Sequence, residues 1–217
     1  MQPIGIFGGT FDPIHFGHLR PALEIMSALA LEEVRFVPAA NPPHRCAPTA
    51  SASQRLRMVE LAVSEIPGFR ADDREIRRGG PSYTMLTLES LRRELGSQPL
   101  CLIVGMDAFL GLESWHRAHE LPNMAHLVVM QRPGWGPPPG DEAIPAWMRG
   151  RRCTDPNELA AAPAGRLAFQ AVSLQYISGS QIRAALARGE SVHGMLPECV
   201  EEFVLNHGLY RNSTQRT

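Results

Sequence analysis

The sequence predicts an α/β protein whose Rossmann-like, doubly wound and mainly parallel sheet has helices on both faces. Short apolar runs alternate along the chain with segments of helical periodicity. The run from 100 to 104 is apolar at every position, which is typical of a strand covered on both sides. The length of 217 residues suits one domain of this kind. We therefore expect a single domain over residues 1–217.

The first predicted unit is a strand, a helix and a second strand. Ile4 to Phe7 is a short apolar run that ends in Gly8-Gly9, and helical spacing follows from Gly17. Val34 to Val37 predicts the second strand, which Pro38 ends. The whole unit has the length of a βαβ crossover. The two strands are therefore expected to be parallel.

The rest of the chain continues this alternation. Apolar residues at helical spacing predict helices at 53–66, 84–95, 178–188 and 198–206. Further strands are predicted around 70–76, 100–104, 127–130 and 167–172. Residues 133–140 are rich in Pro and Gly and cannot sustain regular hydrogen bonding, so they begin an excursion over about 133–165. A small C-terminal helical part is expected from about residue 178.

Composition and charge exclude several classes of partner. The formal net charge is −1, and no run of Lys and Arg offers the basic surface that a nucleic-acid-binding protein needs. No apolar stretch approaches the length needed to cross a bilayer. The four cysteines are dispersed, which is typical of reduced thiols in a cytosolic protein. We expect a cytoplasmic protein that binds neither nucleic acid nor a membrane.

A candidate phosphate site follows the first strand. Gly8-Gly9-Thr10 lets a ligand approach the main chain and adds a hydroxyl donor. His15 and His18 flank Gly17 near the start of the next helix, where main-chain N–H groups and the helix dipole favour an anion. A tight turn is the alternative role for the glycines, and a metal pair is the alternative for the histidines. We expect no protein-held metal, because no clear third ligand stands nearby.

The run from Gly8 to His18 resembles the signature of the bacterial nicotinate-nucleotide adenylyltransferase family. That family is part of a nucleotidyltransferase superfamily with two histidines flanking a glycine. The resemblance covers nearly the whole chain, since matching segments recur near its middle and its C-terminal end. It implies ATP contacts at Gly8, Gly9, Thr10, Phe11 and Gly17, with His15 and His18 as catalytic residues.

The segment Ile177-Ser178-Gly179-Ser180-Gln181-Ile182-Arg183 resembles the second signature of the family. Either serine can cap a helix while the first-turn N–H groups and the arginine face a polyphosphate. Alone, the pattern would indicate an ordinary serine-capped helix. With the first signature, it implies ATP contacts at Ile177, Ser178 and Ser180, with Arg183 as a catalytic residue.

Gly105-Met106-Asp107 begins at the carboxyl end of a predicted strand, where open parallel sheets place their ligands. The resemblance implies that Gly105 and Asp107 lie against the adenosine of ATP. The alternative is that Asp107 is a helix N-cap, which is a frequent role for Asp.

Three further segments carry the implied mononucleotide site. The loop Asn41-Pro42-Pro43-His44-Arg45 offers donors and charge to a phosphate, and the family usually has Lys in place of its arginine. Tyr83-Thr84 resembles the lining of the pyridine pocket, and Trp115 resembles the tryptophan beside the nicotinate ring. Leu86 stands where the family normally has an acid, so it receives no role. A rigid surface loop and core packing are the alternatives. The implied mononucleotide contacts are Asn41, His44, Arg45, Tyr83, Thr84 and Trp115.

The resemblance implies transfer of the adenylyl group of ATP to nicotinate mononucleotide, which gives deamido-NAD and pyrophosphate in NAD biosynthesis. The substrate supplies the nucleophile, Mg²⁺ accompanies ATP, and catalysis is mostly positioning and charge stabilisation. One rival is an adenylyltransferase acting on nicotinamide mononucleotide or another phosphate acceptor. A rival from another class is a catalytically silent nucleotide sensor. The expected partners are ATP and nicotinate mononucleotide, and a homo-oligomer is possible.

Overall fold

Six strands form one parallel sheet in the computed structural model. The strands are β1 (Ile4–Gly9), β2 (Glu33–Pro38), β3 (Phe69–Ala71), β4 (Leu100–Gly105), β5 (His126–Gln131) and β6 (Leu167–Ala171). Their order is β3-β2-β1-β4-β5-β6, and each neighbouring pair is parallel. The structure describes residues 1–42, 47–131, 144–173 and 175–211. The predicted Rossmann-like α/β fold is confirmed.

Nine α-helices occur within these described ranges. They are α1 (Phe16–Ala28), α2 (Ala52–Val63), α3 (Arg74–Arg78), α4 (Thr84–Leu95), α5 (Met106–Leu110), α6 (Leu121–Met124), α7 (Asn157–Ala161), α8 (Gly179–Arg188) and α9 (Glu198–Asn206). Ser51 and Ser178 begin α2 and α8 in the same way, since each hydroxyl oxygen accepts a hydrogen bond from the main-chain N–H three residues later. None of these helices combines the length and the hydropathy that a bilayer span requires.

Each face of the sheet carries its own apolar cluster. On β4, Cys101 and Ile103 belong to one cluster, whereas Leu100, Leu102 and Val104 belong to the other. This division follows from the alternation of side chains along a strand. Buried residues of α1, α2, α8 and α9 complete the first cluster, and buried residues of α4, α5 and α6 complete the second. Helices therefore cover both faces, as the apolar run at 100–104 predicts.

The order of the strands reverses between β1 and β4. From β1 the chain proceeds outward to β2 and β3, and from β4 it proceeds to β5 and β6 on the other side. The helices that follow β1 and β4 belong to opposite faces of the sheet. Such a reversal leaves a crevice at the carboxyl ends of the two strands. These ends are Gly9 and Gly105.

The strand predicted around 70–76 is wrong beyond its first residues. β3 ends at Ala71, and the short helix α3 begins at Arg74. The Asp72 carboxylate accepts hydrogen bonds from both the main-chain N–H and the guanidinium of Arg74. An Asp that bonds to the backbone two residues later favours a turn over a continuing strand. The helix predicted to reach residue 66 likewise ends early, at Val63.

The predicted excursion over 133–165 is described only in part. Its segment rich in Pro and Gly, residues 133–140, lies outside the described residues. After residue 144 the chain forms a 3₁₀ turn at Ala146–Met148 and the short helix α7, and it then enters β6. The chain thus returns to the sheet where the sequence predicts it.

Candidate active site

The turn between β1 and α1 places two imidazole rings side by side. His15 immediately precedes α1 with an extended backbone, and its N–H donates a hydrogen bond to Nδ1 of His18 at 3.3 Å. The rings are stacked with their centroids 3.8 Å apart. The Phe11 ring meets His18 edge-on, with a centroid distance of 5.1 Å. Phe11 is buried in the core and packs against the His18 ring. Its contact with ATP stays a prediction.

His15 is 5% exposed, and burial lowers the pKa of its imidazole to about 4. The ring is therefore neutral near pH 7. Its Nδ1 atom has no hydrogen-bond partner within the described part of the chain. A neutral imidazole that carries its proton on that nitrogen can donate to an anionic oxygen at the start of a helix.

The glycines of this turn differ in what surrounds them. A Cβ at Gly17 would lie 2.8 Å from Nδ1 of His15 and 2.8 Å from the carbonyl oxygen of Ile177. A Cβ at Gly9 would lie 2.8 Å from the Phe11 ring. A Cβ at Gly8 would meet no heavy atom within 4 Å. Packing therefore requires glycine at position 17, whereas Gly8 faces open space at the end of β1.

The second signature lies directly against the first. Arg183 donates from Nη1 to the main-chain oxygen of Asp12 at 2.7 Å, across 171 positions of sequence. A Cβ at Gly179 would lie 3.2 Å from the same oxygen. The exposed Ser180 hydroxyl lies 3.1 Å from that of Ser178, which caps α8. The fold thus brings the start of α8 to the turn that holds the histidine pair.

A cavity of about 160 Å³ opens at the reversal of strand order. It lies at the end of β4 and beside the first turn of α1. Four of the predicted ATP contacts line it, namely Gly17, Gly105, Asp107 and Ile177. The other lining residues are Pro21, Met106, Met130, Val172, Ser173 and Gln175. Apolar walls with a few polar groups suit a planar heterocycle, since they cover its faces and leave its edge to hydrogen bonds.

Asp107 is exposed at this cavity and lies within the first turn of α5. Gly105 occupies the N-cap position of that helix, so the alternative role of Asp107 as its N-cap is wrong. The N-cap residue must precede the first helical residue, which is Met106. The carboxylate is consequently available for a contact with a ligand in the cavity.

The described segments of the predicted mononucleotide site are adjacent. The Asn41 N–H donates to the Ser82 hydroxyl at 3.0 Å, and the Ser82 N–H donates to the Asn41 carbonyl at 3.0 Å. The Tyr83 ring stacks on His116 with a centroid distance of 4.4 Å. Trp115 ends a 3₁₀ turn, is half-buried and packs against the second apolar cluster. Thr84 begins α4. His44 and Arg45 lie outside the described residues.

The described residues around the histidine pair offer hydrogen-bond donors to a ligand. Across the described residues, no group of three or more His, Cys, Asp or Glu side chains could hold a metal ion. The Asp12 carboxylate, which lies in the same turn, already accepts hydrogen bonds from the Thr49 N–H at 2.8 Å, the Ala50 N–H at 3.1 Å and the Tyr210 hydroxyl at 2.7 Å. This arrangement suits an anion better than a cation.

Comparison with known proteins matches this arrangement to one family. Residues 6–185 match the family model described as cytidylyltransferase-like. A protein of Methylococcus capsulatus named probable nicotinate-nucleotide adenylyltransferase is 47% identical over 95% of this chain and 99% of its own. One of the same name from Halorhodospira halophila is 48% identical over 97% and 96%. The chain belongs to the nicotinate-nucleotide adenylyltransferase family.

Solved structures agree with the fold of this family. The nicotinic acid mononucleotide adenylyltransferase of Plasmodium falciparum, complexed with NaAD, has a TM-score of 0.69 and covers 97% of this chain and 98% of its own. The same enzyme complexed with APC has a TM-score of 0.65, with 97% and 98% coverage. The sequence identities are 15% and 18%, so these matches bear on the architecture alone.

Three side chains near the family signature were not predicted from the sequence as site residues. They are Asp12, Tyr210 and the buried Arg55, whose guanidinium reaches the carbonyl of Thr10. A signal for Arg55 exists in its spacing, because it shares a helix face with Met58 and Ala62. A charged residue on an apolar face is buried only when its donors find partners, and those partners are distant in sequence.

Proposed function

We propose that this protein transfers the adenylyl group of ATP to nicotinate mononucleotide and so forms deamido-NAD and pyrophosphate in NAD biosynthesis. The observation that carries the proposal is the stacked pair His15 and His18 at the switch point of the sheet, with Arg183 fastened to the same turn. A cavity of about 160 Å³, lined in part by Gly17 and Ile177, lies beside it. Membership of the family, at 47% identity over nearly the whole chain, supports this choice of reaction.

The chemistry is one in-line displacement. A phosphate oxygen of nicotinate mononucleotide attacks the α-phosphorus of ATP and forms a new phosphoanhydride bond. The bond from the α-phosphorus to the oxygen bridging to the β-phosphorus breaks, and its electron pair leaves with pyrophosphate. No protein nucleophile takes part. Donors fixed before the reaction stabilise charge on the phosphoryl oxygens without reorganising.

His15, His18 and Arg183 are the donors that we assign to this task. His15 stays neutral because of its burial, so it contributes a hydrogen bond rather than a charge. Arg183 keeps its guanidinium at the same turn through the hydrogen bond to the Asp12 carbonyl. Gly8, Gly9 and Thr10 supply the main chain along which the phosphates lie. Ser178 and Ser180, at the start of α8, add hydroxyl groups toward the β- and γ-phosphates.

Adenosine is assigned to the cavity lined by Gly17, Gly105, Asp107 and Ile177. The mononucleotide is assigned to the joined segments at Asn41 and Tyr83-Thr84, with Trp115 beside the pyridine ring. His44 and Arg45 complete its phosphate site. Mg²⁺ fits as part of the nucleotide substrate, since the turn offers donors and the Asp12 carboxylate is already hydrogen-bonded. When bound, the ion neutralises phosphate charge. We assign the whole chain to one cytoplasmic nucleotidyltransferase domain.

Initial rates of pyrophosphate release test the assignment. Purified protein is mixed with ATP, Mg²⁺ and either nicotinate or nicotinamide mononucleotide. We expect faster release with nicotinate mononucleotide and a product that has the mass of deamido-NAD. Preference for the amide would overturn the choice of acceptor and leave the reaction type standing. Binding of ATP without pyrophosphate release with either acceptor would favour the nucleotide sensor. Light scattering on the same sample determines whether the chain forms a homo-oligomer.

A further inference from the structure

Arg55 is 1% exposed, although arginine is among the residue types least often buried. It lies in α2 on the face that otherwise carries Met58, Val59 and Ala62. No ion pair joins it to a carboxylate within the described residues. Burial lowers the pKa of its guanidinium, while the charge of Asp12 raises it. An apolar side chain of similar size would fill this space without the cost of burying a charge, so packing alone does not account for an arginine here.

The guanidinium instead joins three segments of main chain. Nη1 donates to the Thr10 carbonyl at 2.7 Å, Nε donates to the Ala50 carbonyl at 3.2 Å, and Nη2 donates to the Ala40 carbonyl at 3.4 Å. Thr10 belongs to the turn assigned to the ATP phosphates. Ala40 and Ala50 lie at the two ends of the loop that leaves β2 and enters α2. The Arg55 guanidinium therefore links both ends of this loop to the turn between β1 and α1, residues 10–15, which we call the phosphate turn.

The Asp12 carboxylate forms a second link between the turn that follows β1 and the end of the loop that enters α2. It accepts hydrogen bonds from the N–H groups of Thr49 and Ala50, at 2.8 and 3.1 Å, and from the Tyr210 hydroxyl at 2.7 Å. Tyr210 is 8% exposed, and hydrogen bonds to a carboxylate are strong where water is excluded. The Asp12 carbonyl meanwhile accepts from Arg183. Asp12 is thus the residue at which the two signatures and the loop after β2 meet.

We propose that Arg55, together with the Asp12–Tyr210 pair, positions the two described ends of the loop after β2, residues 39–42 and 47–51, against the turn between β1 and α1 and so sets the separation between the reacting phosphates. The proposal rests on the function proposed above, because the loop carries Asn41 and the turn carries the assigned ATP contacts. Arg55 and Tyr210 are positioning residues. Errors of about 1 Å between reacting groups cost up to ~100-fold in rate, so a clamp between the two segments affects turnover more than it affects the binding of either substrate alone.

Steady-state kinetics and separate binding measurements on two variants test this role. Tyr210→Phe removes one oxygen atom and thereby the donor to Asp12, and it leaves the ring in place. Arg55→Lys keeps the charge but cannot reach three carbonyls at once. We expect kcat to fall by about tenfold in Tyr210→Phe and by more in Arg55→Lys. The dissociation constants of ATP alone and of nicotinate mononucleotide alone should remain those of the unmodified protein. Arg57→Lys, on the exposed side of the same helix and paired with Glu60, is the matched control and should have normal kcat.

The outcomes distinguish a positioning role from a purely structural role. They also distinguish failure of this proposal from failure of the proposed function. If Tyr210→Phe is folded and its kcat is normal, the positioning role is wrong even though the adenylyl transfer stands. If Tyr210→Phe loses thermal stability and weakens the binding of both substrates while kcat stays normal, the contact is structural and the proposal is again overturned. If the unmodified protein releases no pyrophosphate with either mononucleotide, the proposed function itself is wrong. Should Arg55→Lys fail to fold, the result with Tyr210→Phe decides.

Discussion

The imidazoles of His15 and His18 stack with their planes 29° apart, and His15 is the more buried of the two. Two protonated rings at 3.8 Å would repel each other in a site partly shielded from water. The low pKa of His15, about 4, relieves this conflict because that ring remains neutral. The pair can therefore present two donors to a phosphate while it carries at most one positive charge near pH 7.

Replacing His18 by Ala should lower kcat for pyrophosphate release by about 100- to 1,000-fold, the usual cost of removing one donor to a transition-state oxygen. The fold should remain intact, since His18 is only half-buried. Steady-state assays, with circular dichroism as the check on folding, measure both effects. His193→Ala, at a side chain that is 85% exposed, is the matched control. Near-normal turnover in a folded His18→Ala protein would refute the catalytic assignment.

ATP binding should be accompanied by proton uptake at about pH 5.5. A phosphate next to His15 favours the imidazolium, so its pKa rises from about 4 when ATP binds. Calorimetric titrations in two buffers with different ionisation enthalpies measure the number of protons taken up. His15→Gln should bind ATP with less uptake. Equal uptake by the two proteins would mean that His15 does not face the phosphates.

Alanine at Gly17 should destabilise the protein, whereas alanine at Gly8 should not. At Gly17, the new Cβ meets His15 and the Ile177 carbonyl at 2.8 Å, and we expect a loss of about 1–3 kcal/mol of unfolding free energy. At Gly8 nothing lies within 4 Å, so stability should be unchanged or slightly higher. The KM for ATP should nevertheless rise in Gly8→Ala, because the methyl group occupies space assigned to the phosphates. Urea unfolding and ATP-dependent kinetics measure these effects, and a normal KM would remove Gly8 from the ATP site.

The unfolding free energy should fall as the pH decreases below 6.5. Burial lowers the pKa values of both His15 and His126 in the folded state, so the unfolded chain binds more protons below the ordinary value of 6.5. Stability from these groups is complete above pH 6.5 and is lost as the pH falls toward the lowered values. For His15 the loss amounts to about 3 kcal/mol by pH 4.

His126 makes this pH dependence testable outside the candidate site. Its Nδ1 accepts from the Arg166 N–H at 3.0 Å, so its Nε2 must donate to the Ala162 carbonyl at 2.8 Å. Protonation of Nδ1 would remove the acceptor of the Arg166 N–H. His126→Gln should therefore show a shallower decline than the unmodified protein in urea unfolding between pH 6.5 and 5. Identical slopes would show that His126 does not titrate in this range.

The sequence predicted most of the sheet because its strands are short, apolar and separated by helices of clear periodicity. The prediction of a strand at 70–76 was wrong because the hydrogen bond from the Arg74 N–H to the Asp72 carboxylate turns the chain after β3. In the helix predicted at 53–66, the structure buries the apolar residues Val59 and Val63, and it buries Arg55 with them. The burial of Arg55 depends on carbonyl partners outside α2, and no pattern within the helix encodes those partners.

The run from Gly8 to His18 was easier to predict from the sequence than the distant residues that contact it. Gly8 to His18 is a contiguous run, so its local geometry follows from a turn and a helix start. The meeting of Asp12 with Arg183 and Tyr210 depends on how α8 and the C-terminal segment pack against the turn between β1 and α1. Likewise, the contact of Tyr83 with His116 depends on tertiary packing that single-residue propensities do not describe.

The hydrogen bond from Tyr210 to Asp12 spans 198 positions of sequence. Asp12 lies between β1 and α1, whereas the partner of its carboxylate follows β6, so the ribosome synthesises Tyr210 only after all the strands β1 to β6. Until then the phosphate turn lacks one of the donors that hold it. A nascent chain can thus assemble its βαβ units in order of synthesis, while the arrangement around Asp12 is completed late.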